Sequence, residues 1–165
     1  MKIRDIALIG ILSATITAGK LALSFIPNIE IVTLLFMVYT VIFGAKRTLF
    51  MAFVFSTIEI LMYGLSTWVL GYFVIWPVLI LLTAFIQKKG LSEYKAALLA
   101  GLFGLSFGFF FAVVESFFYG MMYGITYWVK GIPFDIVHGV SNFLIALFLY
   151  KPLVSFLQGF GSRMG

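Results

Sequence analysis

The chain has 165 residues, 63% of them hydrophobic and 10% charged, and its 11 Lys and Arg against 6 Asp and Glu give a net charge of +5. A water-soluble domain carries about a quarter of its residues as charges, so lipid is the expected solvent here and one water-facing core is excluded. No cysteine is present, which removes disulfide frameworks and thiolate metal sites, and the basic residues lie in short gaps between apolar runs, which argues against a nucleic-acid surface.

A membrane helix needs about 20 apolar residues. Continuous apolar runs without strand-like alternation predict helices rather than a barrel. The expected fold is an all-α integral membrane protein, a single membrane domain over residues 1–165, with spans at 3–25, 29–44, 48–64, 68–86, 96–118 and 134–157. Lys2 and Arg4 before the first run imitate a secretory signal, but more membrane sequence follows, so the first run is read as a retained span. Pro27-Asn28, Gly44-Ala45-Lys46-Arg47 and Gly64-Leu65-Ser66-Thr67 supply turn chemistry between the early spans. Residues 87–95 form the clearest polar loop. The aromatic, glycine-rich stretch 120–133 is expected to lie over one end of the bundle.

With six alternating spans, Lys2, Arg4, Lys46, Arg47, Lys88, Lys89, Lys95, Lys151 and Arg163 fall on one side, and only Lys20 and Lys130 oppose them. The positive-inside rule then puts both termini in the cytoplasm.

Two small-residue stripes recur at four-residue spacing, which keeps each near one helix face. The first helix carries Gly10, Ala14, Ala18 and Ala22, and the fifth Ala100, Gly104, Gly108 and Ala112. Such grooves permit close helix approach in lipid. Packing inside the bundle is the preferred reading for the fifth helix, and docking of another protein for the first, whose polar line Ser13, Thr17, Lys20 and Ser24 lies on a different face.

Ionisable groups in hydrocarbon are costly and usually functional. At about 1.5 Å per residue, Lys20 lies about 25 Å along the first helix, Glu59 about 17 Å along the third and Glu115 about 28 Å along the fifth. These depths, with Glu30, Asp135, His138 and Asn142, all fall in the outer half. Glu59 shares a face with Tyr63, Glu115 with Tyr119, and Asp135 with His138 and Asn142; Trp68, Tyr72 and Trp76 form an aromatic line. Aromatic faces with a few hydrogen-bonding groups suit a flat, polar small molecule. Plainer readings stand beside this one: a hydrogen-bonded structural role for His138, interfacial belts for Trp68 and Trp128, an ion pair of Lys20 with Glu59 or Glu115, and solvated loop-end charges for Glu30 and Asp135. No P-loop or zinc-protease motif occurs, a single histidine argues against a zinc site, and Gly139-Val140-Ser141-Asn142 is not a nucleophile elbow. No catalysis and no metal are expected.

The six short spans, Ala14-Thr15-Ile16-Thr17-Ala18, the stretch from Ile26-Pro27-Asn28-Ile29-Glu30 to Leu35, and Pro133-Phe134-Asp135-Ile136-Val137-His138-Gly139 resemble the substrate-binding S components of energy-coupling factor (ECF) vitamin transporters over essentially the whole chain. The resemblance implies a substrate-capture subunit of an ABC-type importer in a prokaryotic plasma membrane, docking through Ala14 and Ala18 on a membrane coupling protein whose two ATPase partners consume ATP, with no cofactor of its own. It also implies toppling to deliver the cargo inward, and a ligand site in the outer helix ends and the loops after helices one, three and five. The candidate ligand residues are Lys20, Asn28, Glu59, Tyr63, Trp68, Glu115, Tyr119, Trp128, His138 and Asn142. The acid-rich aromatic set favours a nitrogen heterocycle such as hydroxymethylpyrimidine, pyridoxine or thiamin, with pantothenate as an anionic alternative. The rival class is a membrane-embedded enzyme acting on a lipid or isoprenoid, using Glu59, Glu115 and His138 as acid–base groups.

Overall fold

The computed structural model describes residues 2–164, with side chains through Gly159; the side chain of Arg163 lies outside the described set. The described residues form helices and turns with no strand: α1 (Ile3–Leu23), α2 (Val32–Phe43), α3 (Ala45–Tyr63), α4 (Thr67–Gln87), α5 (Glu93–Leu105), α6 (Phe107–Tyr119) and α7 (Met121–Met164). Four runs are long and apolar enough to cross a membrane: Ile3–Leu23, Thr67–Gln87, Glu93–Tyr119 and Met121–Gly159. Large apolar side chains point outward along them, including Phe85, Leu98, Val113 and Phe148, as expected of rods solvated by lipid. The chain is thus an all-helical protein of multi-pass membrane type.

Two expected spans differ in length. The second begins at Val32, because residues 24–31 form turns, and its 12 residues reach only about 18 Å, short of a bilayer core of about 30 Å. The stretch 120–133, expected to cap the bundle, is helical and continuous with the last segment in a 44-residue α7. Pro133 sits inside that helix, where its missing N–H is tolerated because neighbouring membrane helices stabilise the segment.

α5 and α6 are one rod bent at Ser106, whose hydroxyl donates to Leu102 O at 2.9 Å, a back-bond that competes with the regular helix ladder. Gly120 alone, at φ +89°, reverses the chain into α7. From there α7 runs antiparallel to the α5–α6 rod along its length. Tyr119 meets Tyr123 at 4.9 Å between ring centroids, Phe109 meets Trp128 at 5.4 Å, and Lys151 reaches Glu93 at 3.6 Å. The fifth-helix stripe makes this hairpin close: a Cβ added at Gly104 would stand 2.9 Å from Gly139 Cα and from His138 O. Its function is packing within the bundle.

The remaining contacts fix direction. Asp5 pairs with Arg47 at 2.9 Å and Ser13 donates to Met51 O, so α1 and α3 run parallel, while α2 returns between them through the single-residue turn Gly44 (φ +83°). Tyr72 meets Phe111 and Trp76 meets Phe107, so α4 runs antiparallel to the α5–α6 rod. Arg4 and Leu8 line one groove with Phe156 and Leu157, which brings the start of α1 and the far part of α7 to one end. That end carries Lys2, Arg4, Lys46, Arg47, Lys88, Lys89, Lys95 and Lys151 against Asp5 and Glu93; the other carries Glu30, Glu59, Glu115 and Asp135 against Lys20 and Lys130. The bundle is strongly polarised in charge.

Candidate ligand site

The acidic end contains a cleft of two lobes. The larger, about 490 Å³, is lined by the aromatic wall Trp68, Tyr72, Phe107 and Phe111 and by Asp135 and Lys130 from α7. The smaller, about 270 Å³, lies under the α1–α2 connection against Lys20, Glu30 and Trp76. Asn28, Tyr72, Phe107 and His138 line both, so the lobes are adjacent parts of one site. Their volumes suit a small ligand.

Local chemistry explains the shape. Asn28 takes φ +60°, a left-handed conformation that asparagine tolerates better than most residues, and so turns the chain from α1 into α2. Glu30 caps the start of α2: it accepts the Thr33 N–H at 2.8 Å and the Thr33 hydroxyl at 2.5 Å, where a carboxylate also complements the helix dipole. α7 grips the same connection. His138 Nε2 lies 3.1 Å from Glu30 Oε1, the Ser141 hydroxyl donates to Asn28 O at 3.0 Å, and Asn142 Nδ2 donates to Thr33 Oγ1 at 3.2 Å. The His138 ring also meets Phe107 edge-on at 4.6 Å. Burial raises the Glu30 carboxyl, but the hydrogen bond and charge of His138 and the bonds from Thr33 outweigh it and hold Glu30 below its ordinary value.

Asp135 sits where α7 passes Gly108. Its Oδ1 accepts the Gly108 N–H at 2.9 Å, and a Cβ at position 108 would stand only 2.9 Å from the carboxylate carbon. The glycine is what leaves room for the acid. Asp135 is 8% exposed and Trp76 2%, yet Asp135 Oδ2 and Trp76 Nε1 have no hydrogen-bond partner. Buried polar atoms are nearly always paired, so two orphans of opposite polarity in one cleft mark where a ligand is missing.

The sequence-derived candidates separate into groups. Asn28, Trp68, Lys20 and His138 line the cleft. Glu59 is 1% exposed and pairs with Lys20, and Tyr63 packs on Trp68 at 5.7 Å. Glu115 accepts from the Thr67 hydroxyl at 2.5 Å, tying α6 to the first turn of α4. Asn142 sits behind the cleft on Thr33, whereas Tyr119 (58% exposed) and Trp128 (39% exposed) face outward. Glu59, Tyr63, Glu115, Tyr119, Trp128 and Asn142 line neither lobe. The two glutamates thus brace helices, and Asp135 and Glu30, read beforehand as candidates for solvated ends, are the acids that line the cleft. Tyr127, Lys130, Gly131 and Phe134 were missed because their stretch was taken as a loop; in a helix their spacing continues the face of Asp135 and His138. Ala14 and Ala18 are exposed on the outside of α1, in line with Gly10 and Ala22.

No protein-family model matches the chain, and no curated protein or solved structure matches it.

Proposed function

We propose that this chain is the substrate-capture subunit of an ECF-type importer, holding a water-soluble vitamin or precursor in the cleft at its acidic end. In this reading six helical passes, α5 and α6 counting as one, cross a prokaryotic plasma membrane with the basic end and both termini in the cytoplasm. The short α2 is accommodated by local bilayer thinning and by its neighbours. A coupling protein docks along the small-residue face of α1, and its two ATPases supply the energy.

The observation that carries the proposal is the cleft itself, where the unpartnered Asp135 Oδ2 and Trp76 Nε1 sit among aromatic walls. The exposed Gly10, Ala14, Ala18 and Ala22 face adds support, because small residues left outward on a membrane helix suit close approach of another helix. The test is a thermal-shift panel of B vitamins and their precursors on the detergent-purified protein. A ligand at 100 times its dissociation constant stabilises by about 2.7 kcal/mol, which raises the midpoint by several degrees, and mass spectrometry should recover it unchanged. A panel without a shift, or recovery of a converted product, would overturn the proposal.

A further inference from the structure

We infer, resting on the capture reading above, that the cargo is a flat, amino-substituted aromatic nitrogen heterocycle whose amine donates to Asp135 Oδ2, rather than an anion. Charge and hydrogen-bond capacity lead there. Of the four carboxylates at the acidic end, Glu59 is engaged by Lys20, Glu115 by Thr67, and Glu30 by Thr33 and His138. Asp135 gives one oxygen to the Gly108 N–H and keeps the other, buried and unpartnered, in the larger lobe.

A buried carboxylate oxygen without a donor is costly, and a donor from the ligand makes a charge-assisted bond there. The surrounding surfaces call for a flat ring: Tyr72 lies 5.5 Å from Trp68 and 5.9 Å from Phe111, and Phe107 lies 5.1 Å from Phe111, between ring centroids. In the smaller lobe the Trp76 N–H requires an acceptor, which a ring nitrogen or a hydroxyl on the same molecule supplies. An anion finds poor compensation. Lys20 is already neutralised by Glu59, and Lys130 is an exposed residue on the larger lobe, while Asp135 and Glu30 would repel it.

Asparagine at position 135 gives a sharp test. Its carbonyl must take the Gly108 N–H, which leaves an NH₂ where Oδ2 stood, donor facing donor. Titration calorimetry of the nanodisc-reconstituted protein would use hydroxymethylpyrimidine (an aminopyrimidine), thiamin, the des-amino analogue of hydroxymethylpyrimidine, and pantothenate. The unsubstituted protein should bind the aminopyrimidines and prefer the amino over the des-amino compound by at least tenfold. Asp135→Asn should collapse that ratio toward one, whereas a purely structural role would weaken both compounds alike and leave it standing. The ratio in the unsubstituted protein needs no variant, so misfolding of Asp135→Asn does not blunt the test. Binding of pantothenate, or another member of the vitamin panel, without either aminopyrimidine overturns the ligand class and leaves the capture reading in place. Absence of binding across the panel overturns both.

Discussion

Lys20 of α1 and Glu59 of α3 form an ion pair inside an aromatic cage. The ammonium lies 4.8 Å from the Tyr63 ring centroid, 5.3 Å from Tyr72, 5.4 Å from Trp68 and 6.0 Å from Phe55. The carboxylate is 1% exposed. This pairing couples the two parallel helices at the depth of the cleft and sets one of its walls, since Lys20, Trp68 and Tyr72 all line it.

Removing one member should therefore cost far more than removing both. Lys20→Met leaves Glu59 buried without its cation, and loss of one partner of a buried pair costs about 3–5 kcal/mol. Lys20→Met with Glu59→Met should recover most of that, because well-packed apolar replacement of both charges is often neutral. Denaturant or thermal unfolding of the purified variants reads the difference. Equal destabilisation by the single and double variants would mean that the ion pair does not govern stability at this site.

The α5–α7 contact allows a comparison of two glycines. At Gly104 a Cβ would meet the backbone of Gly139 and His138 at 2.9 Å, whereas at Gly10 it would meet nothing within 4 Å. Backbone atoms cannot rotate away, so Gly104→Ala should destabilise by about 1–3 kcal/mol, as overpacking does. Gly10→Ala should be neutral or slightly stabilising, given alanine's better helix propensity. Because His138 lies in the same contact, Gly104→Ala should also lower ligand affinity. Matching unfolding midpoints for the two variants would contradict the close hairpin packing.

How much of this was legible in the sequence depended on the kind of signal. Helix existence followed from apolar runs, and the turns at Gly44 and Gly64 from their chemistry. The segment after Gly120 was misplaced because its aromatic and glycine content mimics a loop, while its helicity comes from packing on α6: a Cβ at Gly124 would run into Ser116 and the Ala112 carbonyl. At the cleft, spacing put Asp135 and His138 on one face but could not show which acids would be neutralised. Glu59 and Glu115 drew notice by interrupting apolar helices, yet partners from α1 and α4 absorb them. Pairing between distant segments is a tertiary property, invisible to periodicity along one helix.

The Glu30–His138 contact predicts a response to acid. Glu30 lies in the α1–α2 connection, and its carboxyl is held below its ordinary value of 4.5. A depressed carboxyl contributes stability that is full above the unfolded-state value and is lost as pH falls through the folded-state value. The melting temperature should therefore drop as pH falls below about 4.5, and Glu30→Gln should flatten that decline while lowering stability near neutrality. An unaltered acid limb in Glu30→Gln would mean that other carboxylates carry it.

The outer face of α1 supplies the remaining prediction. Ala14 and Ala18 are exposed while Ser13, Ile16 and Thr17 on the opposite side are buried, so a large residue at 14 or 18 adds bulk without entering the bundle. If a coupling protein packs there, Ala14→Trp or Ala18→Trp removes the close helix approach that small residues allow. Uptake of the cargo in cells carrying the coupling module should fall at least tenfold, while affinity measured on the isolated subunit changes less than twofold. Leu21→Trp, also exposed on α1 but off the small-residue line, serves as the control and should retain uptake. Full uptake in both alanine variants would show that the partner does not dock on this face.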